Sequence, residues 1–225
     1  MPLPIDWSTT TENGARFVNS IPTFSLSGTY SLLGESDGTE WDVEFPGFRK
    51  SAAIFLKNPP HPRGFSDGRI RTLIRRNTSF LPSAWGGIFF LSDRLGIGTR
   101  LDPGLNRYEV SDEGSGTIKI IKVTNALKTI LFDTGVDFFP DTIFGFEVEW
   151  EYNAELLHTV ITVKLGLQLD FSDLSTIGTY TDVEDSFNSP HQFSESEGFF
   201  FQAESSDDFV SFNFDKTTIF RVITI

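Results

Sequence analysis

The sequence predicts an all-β fold in which two antiparallel sheets pack face to face. Three observations lead there. Helical periodicity is hard to find, whereas short runs with period-two alternation, or dense in β-branched and aromatic residues, recur from Trp41 to the end of the chain. Clusters of turn residues separate these runs, among them Asn58-Pro59-Pro60-His61-Pro62, Asp102-Pro103-Gly104, Glu113-Gly114-Ser115-Gly116 and Asp133-Thr134-Gly135. Roughly a dozen short strands are too many for one open twisted sheet, so two packed sheets are the economical solution. The chain has 225 residues, 39% of them hydrophobic and 22% charged, with 24 Phe, which suits one ordinary globular domain with a substantial core.

Residues 1–36 contain Pro2, Pro4 and Pro22 and few strand signals, so they read as an arm or extension packed on the domain or on a partner; residues 37–225 read as the sandwich. Within it, strands are expected at 40–45, 51–57, 69–76, 87–91, 107–110, 117–123, 128–132, 143–152, 159–165, 198–204, 209–214 and 218–223. Phe144-Gly145-Phe146-Glu147-Val148-Glu149-Trp150-Glu151-Tyr152 shows the packing logic: its even positions are apolar and belong to a core, and Glu147, Glu149 and Glu151 share the other face, expected to be wet. In Thr117-Ile118-Lys119-Ile120-Ile121-Lys122-Val123 the alternation slips at Ile120-Ile121, which predicts a bulge. Residues 170–197, rich in Ser, Thr, Asp and Glu, read as long loops over a sheet face.

Composition excludes several classes. Without cysteine there is no disulfide framework, zinc-thiolate site or thiol nucleophile. With 18 basic against 31 acidic residues the net charge is −13, which repels nucleic-acid phosphate at long range. The longest apolar runs, 86–91 and 198–201, fall far short of the ~20 residues a bilayer span needs, so no membrane insertion is expected. Nor does Met1-Pro2-Leu3-Pro4-Ile5-Asp6-Trp7 open with a basic, then apolar, leader. Charge is segregated along the chain: residues 49–76 hold eight basic residues and one acidic one, and residues 165–215 hold eleven acidic residues and no Lys or Arg. Such blocks either form solvated faces or pair, within the chain or with a second copy of it.

The order of elements from Asp67 onward resembles the concanavalin A-like lectin/glucanase superfamily, in its laminin G-like and related branches. Asp67-Gly68-Arg69-Ile70-Arg71-Thr72-Leu73-Ile74-Arg75 followed by Trp85-Gly86-Gly87-Ile88-Phe89-Phe90-Leu91-Ser92-Asp93 is similar to a strand pair of that family. So is the run of three short strands Asn106-Arg107-Tyr108-Glu109-Val110, 116–123 and Thr129-Ile130-Leu131-Phe132. The hairpin of 142–152 and 158–165 and the closing strands Gly198-Phe199-Phe200-Phe201-Gln202-Ala203 and 209–214 complete the likeness. The resemblance covers residues 67–223 and implies a jelly-roll sandwich, a fold also found in phage virion proteins.

Glucanases of this superfamily carry a Glu-x-Asp-x-Glu strand, which Glu147-Val148-Glu149-Trp150-Glu151 resembles, with Glu149 in place of the middle Asp. The resemblance implies Glu147 and Glu151 as nucleophile and acid/base. Retaining chemistry asks for carboxyl groups ~5–5.5 Å apart. Positions i and i+4 of a strand lie ~13 Å apart at the backbone, so strand curvature would have to bring them together. An acidic stripe on an amphipathic strand explains the same letters. For calcium the candidates are Asp182, Glu184, Asp185, Glu204, Asp207 and Asp208, hard oxygen ligands without the spacing of a defined calcium loop. Trp85, Tyr108 and Tyr180 are candidates for stacking on sugars, although each reads equally as a core aromatic. His61, His158 and His191 read as incidental.

The reading preferred from sequence is a non-catalytic structural or adhesion protein of a virion or phage tail, without a cofactor, contacting other structural proteins, copies of itself or a cell-surface glycan. Alternatives are a cytoplasmic or extracellular carbohydrate-binding lectin, with or without calcium, and then a glycoside hydrolase using Glu147 and Glu151.

Overall fold

The computed structural model describes the side chains of residues 67–76, 85–93, 104–113, 115–125, 127–185, 189–191 and 196–200, and the backbone of the strands outside these ranges. Every regular element among the described residues is a strand. In chain order they are β1 (Pro4–Ile5), β2 (Trp7–Glu12), β3 (Arg16–Phe17), β4 (Phe24–Ser27), β5 (Ser31–Gly34), β6 (Asp42–Glu44), β7 (Lys50–Lys57), β8 (Asp67–Arg76) and β9 (Ala84–Ser92). There follow β10 (Arg107–Ser111), β11 (Thr117–Thr124), β12 (Leu127–Asp137), β13 (Ile143–Asn153), β14 (His158–Gly166), β15 (Ser175–Val183), β16 (Ser196–Ala203) and β17 (Val210–Val222).

They form two antiparallel sheets. The larger runs β1-β4-β5-β17-β8-β13-β14-β15, with β6 on β17 and β3 on β6; the smaller runs β12-β11-β10-β9-β16-β7-β2. Strands from residues 1–36 enter both sheets, β2 beside β7 and β5 beside β17.

Period-two alternation builds the core. On β13, Phe144, Phe146, Val148 and Trp150 point inward; they meet Ile70 and Ile74 of β8, Ile161 and Val163 of β14 and, from the facing sheet, Ile88, Phe90, Val110, Ile120 and Phe199. Phe90 lies between Trp150 and Tyr108, with ring centroids 4.6 and 5.6 Å away. At one end of this layer the buried Arg76 of β8 forms an ion pair with the buried Asp112 that follows β10, tying the sheets together; burial lowers the Arg76 pKa to about 10.

The bulge at Ile120-Ile121 is present as a register shift between β11 and β12. Three elements differ from expectation. Asp133-Thr134-Gly135 is not a turn but a second irregularity inside the long β12, where Gly135 takes a φ of 68°. The strands expected at 209–214 and 218–223 are one continuous β17, with a register shift against β8 between Asp215 and Thr218. Residues 175–183, expected as loop, form the edge strand β15. Its outward Thr179 and Thr181 suit a strand, but they gave no hydrophobic signal, because only one of its faces meets the core.

At Gly87 β10 lies close against β9, since a Cβ there would lie inside the Val110 carbonyl oxygen and within 2.9 Å of the Ser111 Cα. Gly87→Ala is therefore expected to destabilise the domain by about 1–3 kcal/mol or more, measured by urea unfolding; an unchanged midpoint would disprove the close approach.

Candidate functional site

The residues that β13 directs away from the core meet outward-facing neighbours from both sides. Antiparallel registers place Arg71 of β8, Glu147 of β13 and Lys164 of β14 in one row, and Arg69, Glu149 and Thr162 in the next, continuing to Thr179 of β15. The side chains interlock across the rows. Arg71 Nε donates to Glu147 Oε2 at 2.5 Å, Lys164 Nζ donates to Glu147 Oε1 at 3.0 Å and to Glu149 Oε2 at 2.7 Å, and Arg69 Nη1 donates to Glu149 Oε1 at 3.5 Å. Arg69 Nε also lies 3.7 Å from Glu147 Oε2.

Glu147 is only 1% exposed, which corrects the expectation that all three glutamates line a wet surface. Glu149 is half-buried and Glu151 exposed. The cover at the Glu147 end comes from residues 167–174, which fold back over the sheet. Gly145 and Gly166 are paired across β13 and β14, and a Cβ on Gly145 would lie 3.1 Å from Phe171 Cδ1. The Phe171 ring sits 5.5 Å from the Arg71 guanidinium carbon. Asp173 anchors the loop by accepting the amides of Leu167 at 2.8 Å and Gln168 at 3.0 Å, and these bonds hold its carboxyl below the usual range. Leu167 and Leu169 of the same loop are exposed, as are Ile143 at the start of β13 and Phe139 just before it. One face thus combines a ladder of fixed donors and acceptors with an apolar border.

Electrostatics fix the protonation states in the ladder. Burial alone would raise the Glu147 pKa, but the hydrogen bonds and charges of Lys164 and Arg71 outweigh it and bring the pKa below its ordinary value. For Lys164, burial acts downward, and Glu149 and Glu147 carry the pKa up. Glu147 is thus a carboxylate held by two cations and closed off from solvent.

The other candidates lie elsewhere. Asp182 is buried, accepting bonds from Tyr108 Oη at 2.5 Å and Lys122 Nζ at 2.7 Å, while Glu184 and Asp185 are exposed. Glu204, Asp207, Asp208 and His61 lie outside the described residues, and no group of three or more metal-binding side chains occurs among the described ones. Trp85 and Tyr108 are buried, and Tyr180 is half-buried against the core. His191 is not incidental, for it packs on Tyr108 at the end of the sandwich.

Arg69, Arg71, Lys164 and Phe171 were not legible as site residues. Arg69-x-Arg71 does mirror Glu147-x-Glu149, but the pairing becomes visible only once the strand register is known.

No family model matches the chain, and no curated protein matches it in sequence. Among solved structures it is similar to the carbohydrate binding module CBM66 from Bacillus subtilis, with 13% identity, a TM-score of 0.52, and 95% of this chain and 94% of that one covered. It is also similar to a Lotus tetragonolobus seed lectin (8% identity, TM-score 0.56, both chains covered over 100%). A third likeness is to the exoplasmic/lumenal domain of VIP36 in its Ca2+/Man3GlcNAc-bound form, at 11% identity and a TM-score of 0.50, covering 97% of this chain and 84% of that one. The chain has the concanavalin A-like jelly-roll fold.

The ladder makes a pH-dependent contribution to stability. Because the folded Glu147 pKa lies below its ordinary 4.5, that contribution is complete above about pH 4.5 and is lost as pH falls through the folded value. Glu147→Gln is expected to lose about 1–3 kcal/mol at pH 7. In urea unfolding at several pH values its deficit relative to wild type should shrink toward pH 3; a deficit independent of pH would contradict the clamp.

Proposed function

We propose that the protein is a non-catalytic carbohydrate-binding domain that holds its glycan on the outer face of β8, β13, β14 and β15. One observation carries this reading: on that face two interlocked polar rows, Arg71, Glu147 and Lys164 and then Arg69, Glu149 and Thr162, run up to the Phe171 ring, which sits 5.5 Å from the Arg71 guanidinium carbon. A sugar ring presents hydroxyls at its edge and C–H groups on its faces, and its recognition calls for this combination of fixed polar groups and apolar or aromatic surface. Arg69 and Glu149 are each about one-third exposed, at 29% and 34%, so a ligand can reach them. Fold likeness to a carbohydrate binding module and to lectins supports the class, and the site itself has to supply the rest of the argument. The non-enzymatic part of the reading rests on Glu147, which is 1% exposed with both oxygens engaged by Arg71 and Lys164, so a sugar cannot reach it for nucleophilic attack.

A glycan array followed by calorimetry tests this with wild type, Phe171→Ala and the distant surface control Leu127→Ser. Phe171→Ala should weaken binding about tenfold, the worth of one aromatic contact, with the melting temperature retained, and Leu127→Ser should bind as wild type does. Absence of binding across neutral and acidic glycans, or binding unaffected by Phe171→Ala, would overturn the site. Repeating the titration with calcium and with chelator separates a metal-assisted lectin from a metal-independent one.

Membership of a virion remains a proposal from the sequence. Density-gradient sedimentation of the native source, following this chain by mass spectrometry, should then find it in a particle fraction; sedimentation as a free ~25 kDa species would remove that placement.

A further inference from the structure

The cations of the ladder are bound to unequal degrees. Lys164 bridges Glu147 and Glu149 at 3.0 and 2.7 Å, so its ammonium meets a carboxylate on each side. Arg71 meets Glu147 through Nε alone, at 2.5 Å, and its Nη1 and Nη2 form no hydrogen bond with the protein. Those two nitrogens carry four of the five guanidinium protons, in a planar fork that matches the paired oxygens of a carboxylate or a sulfate. The neighbouring acids are already engaged: Glu147 Oε1 by Lys164, and Glu149 by Lys164 and Arg69. In the covering loop, Asp173 accepts the Leu167 and Gln168 amides, and Asp170 Oδ1 accepts Ser172 N at 3.0 Å and Ser172 Oγ at 2.6 Å; neither aspartate bonds Arg71. Within the ladder, then, Arg69, Arg71 and Lys164 face only Glu147 and Glu149, and the uncommitted donors belong to Arg71.

We propose that the sugar held on this face is an acidic one, whose carboxylate or sulfate docks on the Nη1–Nη2 fork of Arg71 while its ring covers Phe171. The inference rests on the glycan-binding reading above and names the class of sugar. The fork is held in place before any ligand arrives, by the Nε bond to Glu147 and by the Phe171 ring 5.5 Å from the guanidinium carbon, so little ordering is left to be done on binding. It is also reachable, for the Arg71 side chain is 31% exposed. Ring and fork are close enough for one sugar residue to span both, its C–H face on the aromatic and its exocyclic oxyanion on the guanidinium. An oxyanion accepts two parallel charge-assisted hydrogen bonds there, whereas a neutral hydroxyl accepts weaker, uncharged ones. The exposed Asp170 and Asp173 oppose an anion only through solvent, which screens them. The chain's net charge of −13 repels an anion at long range, and physiological salt removes most of that repulsion without touching contacts at the fork.

Calorimetry of the full chain at pH 7 and ~0.15 M salt, with matched oligomers of galactose, galacturonate and sulfated galactose and of glucose and glucuronate, tests it. In at least one matched set an acidic oligomer should bind about tenfold tighter than its neutral counterpart. Arg71→Lys keeps the charge and a donor for Glu147 but has no fork, so it should bring that ratio close to one, whatever it does to the separate affinities. Neutral oligomers bound as tightly as acidic ones would leave the glycan site standing and overturn its acidic preference. A ratio unchanged in Arg71→Lys would assign the oxyanion to another group, and inorganic sulfate competing as strongly as the oligomers would make this a plain anion site; either result overturns the proposal. No binding of any oligomer would overturn the glycan-binding reading and this inference together. Should the variant not fold, an NMR titration of wild type with galacturonate and with galactose decides: Arg71 guanidinium resonances that shift with the acid alone support the fork, and resonances that stay fixed refute it.

Discussion

A charge taken out of water is tolerable only when its counter-charge arrives within hydrogen-bonding distance, and that requirement governs the register of these sheets. Glu147 meets Arg71 and Lys164 from the two flanking strands, Arg76 meets Asp112 across the sandwich, and Asp182 meets Lys122 at the other end. Breaking one partner of a fully buried pair, as at Arg76–Asp112, typically costs about 3–5 kcal/mol. A slip of one residue in β13 would carry Glu147 and Glu149 into the apolar layer and turn Phe146, Val148 and Trp150 outward. Apolar alternation thus says which face is inside, and the buried ion pairs say which register holds.

The two sheets treat their outer faces differently. On the smaller one, Arg107 lies between the rings of Phe89 and Phe200, 4.9 Å from each centroid, and its Nη2 is 2.6 Å from Glu109 Oε1; Trp85, Phe89, Phe200, Ile121 and Val123 are all buried on that side. That face serves packing. On the larger sheet the cover among the described residues is the Phe171 loop, and Arg69, Arg71, Glu149 and Lys164 keep between about a quarter and a third of their surface in solvent. A ligand needs groups that are already oriented yet still reachable, and the half-covered ladder meets both conditions where a fully buried or fully solvated face meets only one.

Much of the scaffold could be read from period alone. The alternation of 144–152 and the slip at Ile120-Ile121 are properties of consecutive residues, and both recur in the structure as a core strand and a register shift. What escaped the sequence depends on residues far apart. Burial of Glu147 is decided by Arg71, 76 positions away, and by the loop around Phe171. The edge strand β15 escaped because threonines on its outer side and a glycine on its inner side hide a strand that the neighbouring β14 imposes. His191 looked incidental because its partners, Tyr108, Val123 and Lys122, come from strands of the facing sheet.

The Phe171 loop shows how a binding surface can be built by omission. Gly145 and Gly166 lie opposite each other on β13 and β14, so two neighbouring positions of the outer face carry no side chain and leave room for the loop to pack onto the sheet. Asp173 occupies the place a Gly166 side chain would take, and Phe171 packs where one on Gly145 would begin. Phe171 itself adopts a φ of 63°, a conformation that disfavours a bulky residue by about 1–3 kcal/mol. A glycine at that position would relieve the strain and leave the Asp173 anchors untouched, so loop closure alone does not account for an aromatic there. What the ring adds is surface: it lies against the Arg71 guanidinium at the end of the ladder and is only half-buried, in a loop whose Leu167 and Leu169 are exposed. The strain is therefore a constraint on what this face presents, and an apolar platform next to fixed hydrogen-bonding groups is what it presents.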